Sequence, residues 1–399
     1  MSVTDRVVND KTLIRIAIIT SFIQFTNALE YMMFNPIFLF MAKDFGVSVS
    51  FAGYVTGIYT LAAVISGGVA FFYIDRFDKK FILLTNMAVL GGLTLLMTQI
   101  NQFSLLLLLR FLSGLMGGTT MGVGISLLIN ATPTALRSKM LAIVISSFSI
   151  VSIVGMPGVL FLCEHYGWHT ALWLIFMLCL LAVLCIKWGI PNDTLPVRSS
   201  KPCLPLNLDV LLFASGNALI QFSPMLIIPI LVPVLTQQLQ VSNEMLPWLF
   251  FIGGISGYLV TKITGALMSR YSATFIIAIS TIVFVLSLFM PFIGNNHLSW
   301  LFISLFLGSS YSRLVASSAL TIQFPADKHR AGYGSLQTAL MYLMTTLAFF
   351  LSSILLPEDG VTGQSLRVLV IICAVSALAS PFYSQLLQYK LNSRSNRIN

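Results

Sequence analysis

Twelve stretches of this chain are each long and oily enough to cross a lipid bilayer, and that leaves few folds open to it. A spanning helix needs about 20 mostly apolar residues. Such runs lie at 13–40, 51–73, 81–99, 103–129, 140–162, 170–190, 209–235, 247–268, 273–293, 298–322, 332–356 and 365–388. In hydrocarbon every backbone polar group must be satisfied within its own helix or around a closed barrel. Barrel strands read as alternating segments of about ten residues, whereas these runs are long and continuous. The expectation is an all-α membrane protein with 12 transmembrane helices and little mass outside the bilayer. Composition agrees: 9% of the 399 residues are charged and 57% hydrophobic, where a soluble domain carries about 25% charged residues.

The first run is about twice the length of a secretion signal's apolar core and lacks a small-x-small cleavage site, so it reads as the first helix. The cysteines (Cys163, Cys179, Cys185, Cys203 and Cys373) are odd in number, scattered and without a CxxC pair. They point to neither a disulfide framework nor a metal site. The formal charge of +9 is a topology signal. With the N-terminus inside, all but five of the 22 lysines and arginines fall on inner loops; Lys43 and Arg367 face the other side, and Arg110, Lys262 and Arg313 lie within helices. The positive-inside rule then places both termini in the cytoplasm of a bacterial-type inner membrane. Nothing in this distribution calls for nucleic acid.

The longest polar, proline-rich segment, "GIPNDTLPVRSSKPCLPLNL" (189–208), divides the chain into a six-helix bundle over 1–190, a cytoplasmic linker over 191–208 and a second bundle over 209–399. Landmarks recur between the halves at nearly one offset. Arg76 and Arg270 are 194 apart, Pro133 and Pro325 192, Arg137 and Arg330 193, and "NAL" at 27–29 returns at 217–219, an offset of 190. Two parallel, pseudo-symmetric halves with a site between them near the bilayer midplane are a common plan for secondary transporters.

Over essentially its whole length the chain resembles a major facilitator superfamily transporter. "DRFDKK" (75–80) is similar to that family's loop between helices 2 and 3, with Phe71 and Asp78 where glycines are usual. "GALMSRYS" (265–272) resembles the same motif in the second half, keeping Gly265 and Arg270 but with Ser269 in place of the acid. "LLLLLRFLSGLMGG" (105–118) matches the helix 4 motif with its membrane arginine, Arg110. "GMPGVLFLCEHYGWHTALW" (155–173) resembles the helix 5 passage of the drug/proton antiporter branch through Gly155, Pro157 and Gly158, with His169 where that branch has arginine. The resemblance implies proton coupling at Arg110 and a cytoplasmic gate at the loop motif (Asp75, Arg76, Lys79, Lys80), where Asp75 and Arg76 lock the halves by ion pairing.

Four ionisable residues sit well inside helices: Glu30, Arg110, Lys262 and Arg313. Each is costly in lipid unless paired or wetted, which makes an intramembrane charge a functional hypothesis. Glu30 lies about ten residues, roughly 15 Å, from the outer end of helix 1. An acid at that depth exchanges its proton only when water reaches it, as a proton-coupled carrier requires. Gln24, Asn27 and Asn35 recur beside it at helical spacing, with Tyr31 adjacent, so the reading is a polar face on a water-filled cleft. Arg110 is placed to pair with Glu30 or hold an anionic group; bracing helices 1 and 4 is the plainer role. Arg313, with Tyr311, lies in the serine-rich "GSSYSRLVASSAL" (308–320) and reads as a cavity wall. Lys262 sits about 9 Å from the inner end of helix 8, within snorkelling reach of the headgroups. Helix 7 carries Asn217 and Gln221 with Pro224, Pro229 and Pro233, the pattern of a bending gate. One acid against three bases gives a net positive cavity and favours anionic, zwitterionic or amphiphilic cargo.

An intramembrane enzyme would need a nucleophile with its base, paired acids or a metal cluster. The four histidines lie at helix ends or loops and no second mid-membrane acid accompanies Glu30. No P-loop is present to use ATP. The expectation is a monomeric, cofactor-free carrier of a small organic molecule, driven by the proton gradient through Glu30 and Arg110. Efflux by antiport leads, uptake of an organic acid, amino acid or siderophore-like molecule is the alternative, and a transport-inactive sensor is more remote.

Overall fold

The computed structural model describes residues 10–73, 78–133, 136–191, 207–293, 296–324, 330–356 and 363–398. Regular structure among them is helical throughout, in twelve crossings that follow the apolar runs. They are α1 (Asp10–Met41), α2 (Ala52–Tyr73), α3 (Lys79–Met97), α4 (Phe103–Ala131), α5 (Arg137–Ile150, extended through Met156–Tyr166), α6 (Trp168–Gly189), α7 (Leu208–Ile227 and its broken continuation), α8 (Leu246–Leu267), α9 (Ala273–Phe289), α10 (Ser299–Thr321), α11 (Arg330–Leu355) and α12 (Gly363–Ile398). Polar caps start three of them: Asp78 accepts from the Lys80 and Phe81 amides of α3, Asn207 from Val210 of α7 and Ser272 from Phe275 of α9. Gly167, at φ +83°, lets the chain turn from α5 into α6 in a single residue; a side chain there would meet the left-handed penalty. Most of the 191–208 linker lies outside the described residues.

Eleven of the helices are apolar enough to span a bilayer by composition alone; α10, although 23 residues long, is not among them. Its serines and Arg313 lower its hydropathy, and it crosses because its polar side chains are buried against protein rather than lipid.

Proline shapes two crossings. α5 widens into a π-helical turn at Val151–Gly155, just before Pro157. In α7, Pro224, Pro229 and Pro233 divide the crossing into an α-helix, a 3-10 turn at Ile228–Ile230 and a π turn at Val234–Gln238. Proline has no N–H for the carbonyl four residues back, and in α7 the Ser223 hydroxyl bonds the Ile220 carbonyl that Pro224 leaves open, at 3.4 Å.

Within the first half α1 packs on α4, α5 and α6, α2 on α4, and α3 on α4 and α6; within the second, α7 packs on α10, α11 and α12, α8 on α10, and α9 on α10 and α12. The halves meet along two equivalent pairs, α2 with α11 and α5 with α8, and where α1 passes the broken end of α7. The α2 to α11 seam is a stripe at helical spacing. Ser353 donates to the Ser50 carbonyl (2.7 Å), Gly57 faces the Phe350 ring, and Thr346 donates to Thr60 (2.8 Å). At the second seam Ser152 of α5 lies 3.1 Å from the Tyr311 hydroxyl of α10 and against Gly254 of α8.

Both seams lie toward the end where α1 finishes and α2 begins, opposite the termini. One hydrophobic cluster spans both halves there, including Phe34, Ile37 and Phe38 of α1 with Ile227, Ile230 and Leu235 of α7. At the terminal end the second half keeps separate clusters, around Val210, Phe213 and Leu387 and around Ile220 and Ile277. The bundle is therefore sealed at one end and divided at the other.

Close approach depends on glycine. A Cβ on Gly114 of α4 would fall on the Tyr59 carbonyl of α2 and within 2.9 Å of Ala62 Cβ, whereas one on Gly92 of α3 would meet nothing within 4 Å. Gly114→Val is expected to cost about 1–3 kcal/mol through overpacking, seen as a lower unfolding midpoint of the purified protein, while Gly92→Ala stays at the wild-type midpoint. Equal midpoints for the two variants would contradict this packing.

Candidate functional site

α1 and α4 bring Glu30 and Arg110 together. Arg110 Nη1 donates to Glu30 Oε1, and both side chains are 0% exposed. The guanidinium also donates through Nε to the Val55 carbonyl of α2 (3.4 Å) and lies 3.8 Å from the Phe34 ring centre and 4.5 Å from that of Tyr59. Glu30 Oε2 and Arg110 Nη2 keep no hydrogen-bond partner. An ion pair this deep recovers the cost of removing two charges from water only through close contact and supporting bonds. Two free polar atoms beside it are places for a proton or an incoming polar group.

Tyrosines cover the pair. Tyr31 stacks on Tyr59, ring centres 5.1 Å apart, and meets Tyr342 of α11 edge-on at 6.5 Å. Tyr31 and Tyr342 are half-buried, as are Gln221 of α7, Tyr311 of α10 and Ser152 of α5. Gln221 Nε2 donates to Thr345 of α11 at 3.4 Å, leaving its Oε1 unpartnered. These partly open groups from both halves form the inner face of the sealed end. Glu30 lies behind that face, not on it, so the expected water-filled cleft at the carboxylate is absent in this conformation: Arg110, Phe34 and Tyr59 occupy the space.

The polar stripe of α1 also turns inward. Gln24 Nε2 donates to the Thr120 carbonyl (3.3 Å) and Asn27 Nδ2 to that of Gly117 (3.4 Å), both on α4, while Asn35 Oδ1 accepts from Thr56 of α2 (2.7 Å). The glycines of α4 admit these amides to its backbone, so the stripe tightens helix packing where a cavity wall was expected. Asn217 likewise donates to Ser318 of α10 (2.9 Å) and is buried.

Arg313 is not on a cavity wall. It is 0% exposed within the second half, its Nη1 donating to Ser223 of α7 and its Nη2 to Ser380 of α12, each at 3.0 Å, with the Phe284 ring of α9 at 4.7 Å. The serines of its own helix do not hold it. Ser223 and Ser380 escaped the sequence reading, although each directly precedes a proline, in "FSPM" and "ASPF". Lys262 stays apart, exposed on α8 with its ammonium 4.8 Å from the Tyr258 ring centre. With Arg110 neutralised by Glu30 and Arg313 buried elsewhere, the expected positive cavity loses its basis.

Asp75 and Arg76 lie outside the described residues. Lys79 is buried at the start of α3 and Lys80 is half-buried. Gly265 and Arg270 are exposed, and Gly265 approaches nothing within 4 Å. Gly155 ends the π turn of α5, where a Cβ would lie 2.9 Å from Leu29 of α1; Pro157 follows within the next turn, and Gly158 has open space. Among the described residues no group of three or more His, Cys, Asp or Glu is placed to hold a metal.

Residues 20–204 match the Major Facilitator Superfamily. The 4-hydroxybenzoate transporter PcaK of Acinetobacter baylyi is 27% identical over 47% of this chain and 42% of its own length. The purine ribonucleoside efflux pump NepI of Shigella dysenteriae is 28% identical over 41% of this chain and 40% of its own. The chain thus spans less than half the length of these curated relatives. In structure, the nucleoside transporter NupG superposes with a TM-score of 0.75 at 14% identity, over 94% of this chain and 99% of its own. These proteins are transporters, not enzymes.

Breaking a buried pair strands a charge, at a cost of about 3–5 kcal/mol, whereas removing both partners is often close to neutral. Glu30→Gln should therefore lower the unfolding midpoint markedly and Glu30→Gln with Arg110→Met much less; additive losses would contradict the pairing. Residues 20–204 thus match the Major Facilitator Superfamily, and over 94% of its length the chain shares the fold of the nucleoside transporter NupG.

Proposed function

We propose that the protein is a proton-coupled secondary transporter that exports a small organic molecule bearing a flat aromatic ring, by alternating access across a bacterial inner membrane. The observation that carries this reading is the Glu30 and Arg110 pair, sealed behind side chains from both halves in a bundle closed at one end. With both termini in the cytoplasm, as the basic loops support, the closed end is the outer one and the conformation faces inward.

Coupling follows from position. Tyr31 and Tyr59 belong to the half that holds the pair, while Tyr342 and Thr346 belong to the other. When α11 leaves α2, the cover parts and water reaches Glu30; when it returns, the acid is sealed in whichever protonation state it has taken. A proton taken up from outside leaves inward when Tyr31 and Tyr59, which lie between the acid and the inner face, swing aside in the inward-facing state. It drives cargo outward if the two compete for that face.

Cargo chemistry is supported by that face. Tyr31, Tyr342 and Tyr311 offer flat apolar surfaces, and Gln221 Oε1 is an acceptor without a donor. A ring bearing an N–H or O–H group meets both demands. The relatives' named cargoes, 4-hydroxybenzoate and purine ribonucleosides, share that chemistry, and export accords with NepI being an efflux pump.

The test is flux of labelled adenosine and 4-hydroxybenzoate in proteoliposomes under an imposed pH gradient. Wild type should move at least one of them against the gradient, with proton release on binding measured by dye in weak buffer. Glu30→Gln should lose gradient-driven flux by about tenfold or more, in the range of a lost proton-transfer group, while retaining cargo exchange. Undiminished gradient-driven flux in Glu30→Gln would overturn the coupling assignment, and transport of neither compound would overturn the cargo class.

A further inference from the structure

The two halves repeat a fold but not a charge balance. Arg110 of α4 has Glu30 of α1; by the offset of 190 that relates "NAL" at 27–29 to 217–219, the residue of α7 corresponding to Glu30 is Ile220. Arg313, in the corresponding crossing α10, is as fully buried as Arg110. Among the described residues no carboxylate pairs with it, and Glu30 is the one acid in the middle of a described helix.

The neighbours of Arg313 have also spent their protons. Ser380 donates to the Ala377 carbonyl (2.6 Å), which Pro381 leaves without its helical donor, as Ser223 donates to the Ile220 carbonyl left open by Pro224. Each serine therefore presents only lone pairs to the guanidinium. Thr281 of α9 lies 3.4 Å from Ser380 Oγ, and Cys373 of α12 is turned to the Ser223 carbonyl at 3.1 Å. Arg313 Nε has no partner. The unmet capacity in this cluster is thus donor and positive. A buried guanidinium facing only neutral oxygens is left with an uncompensated charge that a counter-charge would offset. The neighbouring Ser223, Thr281, Cys373 and Ser380 are all small.

We propose that the Arg313 cluster, between α7, α9, α10 and α12, binds a compact monovalent anionic group on the Nε edge of the guanidinium. The group is either a free inorganic anion such as chloride or the carboxylate of a small organic acid. It lies within the second half, apart from the Glu30 and Arg110 pair.

Thermal unfolding of the purified, full-length protein tests this. Chloride is titrated against gluconate at constant ionic strength, with benzoate as a separate titrant. A ligand that binds only the folded state raises the midpoint with its concentration. Wild type should show a saturable rise of several degrees with chloride, or with benzoate if a carboxylate is the true occupant, and Arg313→Met should lose it. No rise with either anion overturns the proposal, as does an equal rise in Arg313→Met, which would put the anion elsewhere. Should Arg313→Met not fold, Ser380→Ala keeps the charge and removes one competing acceptor. It should change the apparent anion affinity by roughly three- to tenfold, the effect of one hydrogen bond, and an unchanged affinity would equally overturn the assignment.

Discussion

An arginine and a glutamate with no access to water, in the middle of a bilayer-spanning bundle, set the terms for the rest of this molecule. Arg110 and Glu30 are tolerable at that depth only because they meet each other, and meeting requires α1, α2 and α4 to lie very close. The glycines of α4 provide that closeness, and the amides of Gln24 and Asn27 fasten α1 to the backbone they expose. Phe34 and Tyr59 then enclose the guanidinium. Packing in the first half is organised around keeping one ion pair dry.

That dryness is conditional, because part of the cover is borrowed. Tyr342 and Thr346 reach across from the second half through a seam of small residues and hydroxyls. Hydroxyl pairs and glycine contacts release with less loss than an interdigitated apolar core, so such a seam suits an interface that opens repeatedly. The broken end of α7 lies along the same closed end, where its prolines have already loosened the helical hydrogen-bond ladder.

Much of the architecture was legible in the sequence because bilayer thickness imposes a period that composition cannot hide. All twelve apolar runs became crossings, including α10, whose hydropathy is spoiled by Arg313 and its serines. The direction of side chains was less legible. Gln24, Asn27 and Asn35 form a correct stripe, but a stripe facing glycine-rich backbone looks the same in one dimension as a stripe facing water. The pairing of Glu30 with Arg110 could be anticipated, since few charges lie at that depth, while its complete burial depended on Tyr59 and Phe34. For Arg313 the local serines misled. Its real partners are far away in sequence, and the signal they carried was the proline after each one, which commits the preceding hydroxyl's proton to the backbone and leaves an acceptor exposed.

In the proposed mechanism, protonation of Glu30 and closure of the α2 to α11 seam are one equilibrium. The most direct measurement is the distance between spin labels at the exposed positions Lys43 and Ile354, taken by pulsed electron resonance at acid and alkaline pH with the native cysteines replaced. The distance distribution is expected to shift with pH in the otherwise wild-type protein and to be fixed in Glu30→Gln. A pH shift that persists unchanged in Glu30→Gln, or a seam that stays closed at every pH, would contradict that mechanism.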